Sequence, residues 1–179
     1  EKMIVVMTNG NAIQQAAPGH CPKGLYKPQF KLPKTMEGSF EQSFGDVVKF
    51  VDQHYRTIAK REKRDIAGLS MGGFHALHIS RTMPKTFDWV GLFSAATMKG
   101  ENEAFYADWD TTLKAQRDNG LRLYWIGIGT DDFLWKMNTT YREKLDAMEF
   151  PYTFRQSDGG HTWRNWRIYL TEFAQLIFR

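Results

Sequence analysis

The sequence predicts an α/β fold with a doubly wound, mostly parallel sheet. Three observations point there. Short β-rich runs alternate with longer helical segments, the pattern of strands joined by helical crossovers. A glycine-flanked serine stands where a strand candidate runs directly into a helix. No internal repeat, low-complexity tract or interdomain linker interrupts the alternation, so residues 1–179 read as one domain, long enough to bury a sizeable core.

The elements follow in order. Met3 to Met7 is a continuous apolar run ended by Thr8-Asn9-Gly10-Asn11, and suits a strand buried on both faces. Ala12 to Met36 holds Pro18, Pro22, Pro28 and Pro33 and reads as a long surface loop. Ser39 to Gln42 has the form of a capping box, and Phe44, Val47, Val48, Val51, Tyr55 and Ile58 then recur at helical spacing. Asp65 to Leu69 is a short strand, and Phe74 to Thr82 a helix stopped by Pro84. Trp89–Phe93 and Leu121–Ile128 read as strands, separated by a helix from Glu101 to Asn119 with Gly120 as its cap. Phe133–Met148 is a helix and Tyr152–Arg155 the final strand. The last helix sets Trp163, Trp166, Leu170, Phe173 and Ile177 at steps of three and four, one apolar face for a sheet.

Composition narrows the function classes. The net charge of +4 is not concentrated: Lys60, Arg61, Lys63 and Arg64 form the tightest basic group, and Glu62 and Asp65 break it up. That reads as a solvated helix end, with no nucleic-acid partner. No apolar run approaches the ~18 residues of a membrane span. Cys21 is the only cysteine, so an internal disulfide and a thiol-rich metal site are both ruled out. His20 beside Cys21 lacks a second pair to complete a metal site. His54, His75 and His78 lie on predicted helices, as packing or surface residues. Gly127-Ile128-Gly129 is a dinucleotide fingerprint without its third glycine, and carries nothing.

The chemistry sits in Gly68-Leu69-Ser70-Met71-Gly72, a G-x-S-x-G at a strand-to-helix junction. A nucleophilic serine must stand on a sharp, strained turn so that its hydroxyl projects above the sheet edge, with glycines on either side relieving crowding. The following helix aims its N-terminal amides where an oxyanion develops. A hydroxyl is a poor nucleophile near neutral pH and needs a base held by an acid. Such folds place the acid and then the histidine downstream of the serine. Asp131 and Asp132 follow the strand Leu121–Ile128, at a strand's C-terminal end where sites of open α/β sheets gather, and either could serve. His161 follows the last strand through Asp158-Gly159-Gly160 and is the candidate base. Phe133 and Trp135 beside the acid, with Trp163 and Trp166 after the histidine, are candidates to line an acyl or sugar pocket.

Ile66-Ala67-Gly68-Leu69-Ser70-Met71-Gly72-Gly73, Val5-Val6-Met7-Thr8-Asn9-Gly10-Asn11, Gly129-Thr130-Asp131-Asp132 and Gly159-Gly160-His161-Thr162-Trp163 resemble the feruloyl and acetyl-xylan esterases. These make up the first carbohydrate-esterase family, related to esterase D, enterochelin esterases and bacterial mycolyltransferases. The resemblance runs over essentially the whole chain. It implies an α/β-hydrolase fold, a Ser70–Asp132–His161 triad and an oxyanion hole formed partly by the backbone N–H of Met71. It also implies ester hydrolysis on a plant cell-wall polysaccharide, foremost release of ferulate from arabinoxylan, with no cofactor or metal. Deacetylation, siderophore-ester hydrolysis or acyl transfer on the same residues are the nearer alternatives. A carbohydrate-binding module with a relict elbow is the more distant one. A secreted or periplasmic location follows from the resemblance alone.

The sequence departs from the family in one respect. The strand ending in His-Gly, which precedes the first run in the family and supplies the second oxyanion N–H, is absent. The chain also opens at Glu1 without an initiator methionine. It is therefore expected to be the later part of a longer polypeptide whose upstream part associates with it. No ladder is then expected between Met3–Met7 and Asp65–Leu69.

Overall fold

A computed structural model of the chain describes residues 2–8, 36–100 and 102–179. The turn expected at residues 9–11, most of the expected loop of 12–36 and the His20–Cys21 pair lie outside the described residues. Helix α1 (Ser39–His54) and a 3-10 turn (Arg61–Lys63) lead into β1 (Asp65–Leu69) and α2 (Met71–Thr82). Then come β2 (Trp89–Phe93), α3 (Glu103–Tyr106), α4 (Trp109–Asp118), β3 (Leu123–Gly129), α5 (Trp135–Ala147), β4 (Thr153–Ser157) and α6 (Trp163–Ala174). The four strands form one parallel sheet in the order β1-β2-β3-β4. Sequential parallel strands need crossovers of one hand, which brings the connecting helices to the same face.

The side-chain alternation of the strands divides the core in two. Ile66, Val90, Leu92, Tyr124 and Ile126 face α1, α2, α4 and α5, where Phe40, Leu77, Ile79, Leu113, Tyr141 and Leu145 meet them. Trp89, Phe93 and Trp125 face the other way, onto Tyr169 and Phe173 of α6 and Ile177 just beyond it. Helices therefore cover both faces, as in an α/β-hydrolase core. Two strand glycines make room under α6. A Cβ at Gly91 would stand 3.0 Å from the Phe173 ring, and one at Gly127 would stand 2.5 Å from the Trp125 indole.

Several expectations are corrected. The strand expected over Met3–Met7 does not form, and residues 2–8 are exposed, although no ladder joins them to β1, as expected. A run apolar on both faces becomes a strand only where neighbours pair its backbone and cover it, and none does so among the described residues. The capping box does not form: Gly38, at φ 83°, is the N-cap, and no side chain caps the helix. Helix α1 ends at His54, with Tyr55 extended, and Tyr55 and Ile58 are exposed. The single helix expected over 101–119 is two, broken at Ala107-Asp108. Helix α2 starts three residues earlier than expected, and α5 starts two later. Strands β3 and β4 are shifted by one or two residues toward their C-terminal ends. On α6 the buried stripe runs through Tyr169 and Phe173, while Leu170 and Trp163 are exposed.

The basic group at 60–64 is not a solvated helix end. The Arg61 guanidinium pairs with Asp88 and donates to the Asn119 and Gly120 carbonyls, and Arg64 pairs with Asp52. These charges serve intramolecular contacts at the N-terminal end of the sheet. Among the described residues, no helix is long and apolar enough to cross a membrane.

Candidate active site

Ser70 links β1 to α2 with φ 53° and ψ −117°, a conformation that a residue bearing a Cβ adopts only when its surroundings impose it. Those surroundings are backbone. Ser70 N–H donates to the Phe93 carbonyl at 2.9 Å, and the Ser70 carbonyl accepts from Ala96 N–H at 3.0 Å and Phe74 N–H at 3.1 Å. The glycine pattern differs from the expected one. A Cβ at Gly68 would meet the Gly72 carbonyl oxygen at 2.1 Å, so Gly68 is required, but one at Gly72 would meet nothing within 4 Å. The second steric demand falls on Gly73, where a Cβ would stand 2.4 Å from that of Ala95. Gly73 thus lets α2 settle against the turn after β2.

The loops after β3 and β4 carry the other two groups. His161 Nε2 lies 2.9 Å from Ser70 Oγ, and its Nδ1 lies 2.9 and 3.1 Å from the two Asp132 oxygens. Asp132 is buried, and its Oδ1 also accepts the Leu134 N–H at 2.9 Å, which fixes the carboxylate plane. With Nδ1–H donated to the carboxylate, Nε2 is left as the acceptor of the Ser70 hydroxyl proton. Asp131 is exposed and turns away from the imidazole, leaving Asp132 as the acid on the ring. The pair lies in the turn after β3, closed by the Asp132 N–H on the Gly129 carbonyl at 3.2 Å, and that turn brings only Asp132 onto His161.

The two loops are tied to one another. Thr130 N–H donates to the Ser157 carbonyl at 2.9 Å, and Asp131 N–H to the Gly159 carbonyl at 3.1 Å. Gly159 takes φ 79°, and a Cβ on Gly129 would lie 2.0 Å from its carbonyl oxygen. Asn165, a residue the sequence did not single out, is buried and bridges the histidine loop. Its Nδ2 donates to the Asp158 carbonyl at 2.9 Å and to the Gly160 carbonyl at 3.1 Å. The sequence signal for it is an asparagine in the first turn of a helix after a glycine loop, too common a pattern to stand out.

The aromatic candidates separate. The Phe133 ring lies 4.6 Å from the His161 ring, and Trp166 meets His161 edge-on at 4.8 Å. Trp163 continues the row, 5.2 Å from Trp166. Trp135 does not join them. Phe133 lies in the turn before α5, whereas Trp135 is the first residue of that helix, with its ring 6.3 Å from Phe154 and 5.8 Å from the Arg142 guanidinium. Met71 opens α2, so its N–H is one of the first-turn donors without an acceptor inside the helix. His75 and His78 are buried packing residues of α2: His75 Nδ1 lies 2.6 Å from Glu41 Oε1, and His78 Nε2 donates to the Met98 carbonyl at 2.8 Å. Among the described residues, no group of three or more His, Cys, Asp or Glu side chains could hold a metal ion.

The arrangement is a continuous hydrogen-bonded chain from hydroxyl to imidazole to carboxylate, at the C-terminal edge of a parallel sheet. Comparisons with known proteins find esterases. The chain is 26% identical to an endo-1,4-beta-xylanase/feruloyl esterase of Xylanibacter ruminicola, matching 75% of this chain and 17% of that protein. It is 25% identical to an acetyl esterase of Caldicellulosiruptor saccharolyticus, over 73% of this chain and 62% of that one. It therefore spans less than two thirds of either relative. A CE1 ferulic acid esterase from Anaeromyces mucronatus, solved with ferulic acid, superposes with a TM-score of 0.69 at 21% identity, covering 88% of this chain and 61% of the other. The Esterase family, described as "Putative esterase", matches residues 1–176, and the chain belongs to that family.

Proposed function

We propose that this chain carries the catalytic centre of a serine esterase acting on esters of plant cell-wall polysaccharide, foremost feruloyl esters of arabinoxylan. The observation that carries the reading is the Ser70–His161–Asp132 chain, with Ser70 held at positive φ at the tip of β1. His161 takes the Ser70 proton as Oγ attacks the ester carbonyl. The Met71 N–H, at the positive end of α2, faces the oxygen on which charge develops.

As the tetrahedral intermediate collapses, the bond between the carbonyl carbon and the alkoxy oxygen breaks. His161 returns its proton to that oxygen, the alcohol leaves, and the acyl group stays on Ser70. Water then gives a proton to His161, its oxygen bonds to the acyl carbon, and the acid departs as Ser70 Oγ recovers the proton. Asp132 holds the tautomer and stabilises the imidazolium throughout. The feruloyl esterase relative and the solved ferulic acid esterase support hydroxycinnamate as the acyl group. The acetyl esterase relative supports acetyl as the second reading, on the same three residues. The location is read as secreted or periplasmic because a polymeric cell-wall substrate is met outside the cell.

Two measurements test the proposal on the full-length protein. A fluorophosphonate should label Ser70, and Ser70→Ala should abolish labelling while lowering turnover by roughly a thousandfold or more. A panel of methyl hydroxycinnamates, acetylated xylan and nitrophenyl acetate separates the acyl groups. Retention of over about a tenth of wild-type turnover by Ser70→Ala, equivalent to less than ~1.4 kcal/mol of barrier, refutes the assignment.

A further inference from the structure

His161 sits within a row of four rings whose two ends are open. Phe133 is 75% exposed and Trp163 64% exposed, while His161 and Trp166 lie between them. Both exposed rings follow a residue of the hydrogen-bonded chain closely, Phe133 one position after Asp132 and Trp163 two after His161. Large aromatic surfaces left open beside a reactive centre mark where a ligand rests.

The chemistry decides which part of the ester rests there. The carbonyl oxygen must face the start of α2, where Met71 N–H points. The alkoxy oxygen must come within hydrogen-bond distance of His161 Nε2, because that nitrogen returns the proton to it. Groups contiguous with the imidazole therefore border the leaving alcohol, and the acyl chain lies on the opposite side of Ser70. We propose that Phe133 and Trp163 are specificity-determining residues for the leaving alcohol, and that this alcohol is a sugar ring. A sugar presents a face of C–H bonds that covers an aromatic ring, with hydroxyls at its rim left to solvent. Methanol or another small alcohol would leave both rings bare. The exposed ends of the row also allow the sugar to remain part of a polymer. This inference rests on the esterase reading above and assigns the residues that would meet its sugar side, which that reading does not name.

The test uses the full-length protein and two leaving groups, a xylo-oligosaccharide ester and the corresponding methyl ester, each in feruloyl and acetyl form. The readout is the ratio of kcat/KM for the sugar ester to that for the methyl ester. Trp163→Ala and Phe133→Ala should each lower this ratio about tenfold, mainly through KM, a typical weight for one lost apolar contact. Trp163→Phe should restore part of it. Trp163 touches His161 only through Trp166, so its variants report recognition apart from any disturbance of the base. Parallel loss on both leaving groups would place the rings on the acyl side or in support of His161, and would overturn the proposal. An unchanged ratio would overturn it as well. Wild-type protein inactive on all four esters would instead defeat the esterase reading itself, and this proposal with it.

Discussion

At the scale of single residues, the site depends on which of two adjacent carboxylates reaches the imidazole. Asp132 does, from a buried position with Leu134 N–H on Oδ1 and His161 Nδ1 in reach of both oxygens, nearer Oδ2. Replacing it by Asn reverses the donor and acceptor relation at Nδ1, and turnover should fall by about a thousandfold or more. Asp131→Asn should change turnover by less than about threefold, since its exposed side chain lies off the ring. Measuring kcat for both variants settles the acid, and equal losses would contradict the assignment. Asn165→Ala removes two part-buried hydrogen bonds that pin the Asp158–Gly160 segment, leaving the Asp158 and Gly160 carbonyls without that donor. It should lower stability by about 1–3 kcal/mol, read as a reduced denaturation midpoint. It should also reduce kcat, because His161 follows Gly160 directly.

At the scale of elements, the packing of α6 explains why the sheet tolerates so much aromatic surface on one face. Phe93, Trp125, Tyr169 and Phe173 meet edge-to-face or tilted, with centroids 5.4 to 6.4 Å apart. Gly91 and Gly127 supply the depth these rings need. Gly127→Val should therefore force the Trp125 indole out of place and cost about 1–3 kcal/mol or more by overpacking. Phe173→Ala should cost about 3–5 kcal/mol by leaving a cavity. Urea unfolding measures both. A Phe173→Ala loss below about 1 kcal/mol would mean that α6 is not held by this contact. Because α6 follows the His161 loop, loosening it should also reduce activity before the fold is lost.

At the scale of the whole molecule, one buried histidine gives stability a pH dependence. Burial, with the Arg81 charge beside it, holds His78 down at about 3 against an ordinary 6.5. The geometry agrees. Arg81 Nε–H donates to His78 Nδ1 at 2.8 Å, while Nε2–H is donated to the Met98 carbonyl, so the folded ring has no acceptor site free for a second proton. The unfolded chain takes up that proton near pH 6.5 and the folded chain refuses it until about 3. The contribution of neutral His78 is thus fully present above 6.5 and is lost as the pH falls toward 3. Between pH 6.5 and 4 the loss should reach about 3 kcal/mol. Burial raises Asp65, which opposes this trend at the acidic end, so the comparison that isolates His78 is with His78→Gln. Its denaturation midpoint should vary less between pH 7 and 4 than that of the wild type. An equal slope in both proteins would show that the acid sensitivity lies elsewhere.

Sequence alone determined the α/β class, the strand-to-helix turn at Ser70 and the order of Ser70, the Asp131–Asp132 pair and His161 along the chain, because each has a local signature. Strand followed at once by helix is written in Asp65–Leu69 and the residues after Ser70, and the glycines before His161 mark a loop. Tertiary structure decided what depends on neighbours. Met3–Met7 has the composition of a buried strand, yet strand formation needs backbone partners, which composition does not supply. Gly72 matched the motif, but the steric demand fell on Gly73, because Ala95 approaches from the turn after β2, about 20 residues away in sequence, and only the fold brings it there. Trp135 and Trp163 looked alike beside the site, and the different placement of α5 and α6 set one against Phe154 and left the other at the end of the row through His161. The choice of Asp132 over Asp131 has the same origin. Two identical side chains are indistinguishable along the chain, and only the direction in which the backbone turns them sets which one meets the imidazole.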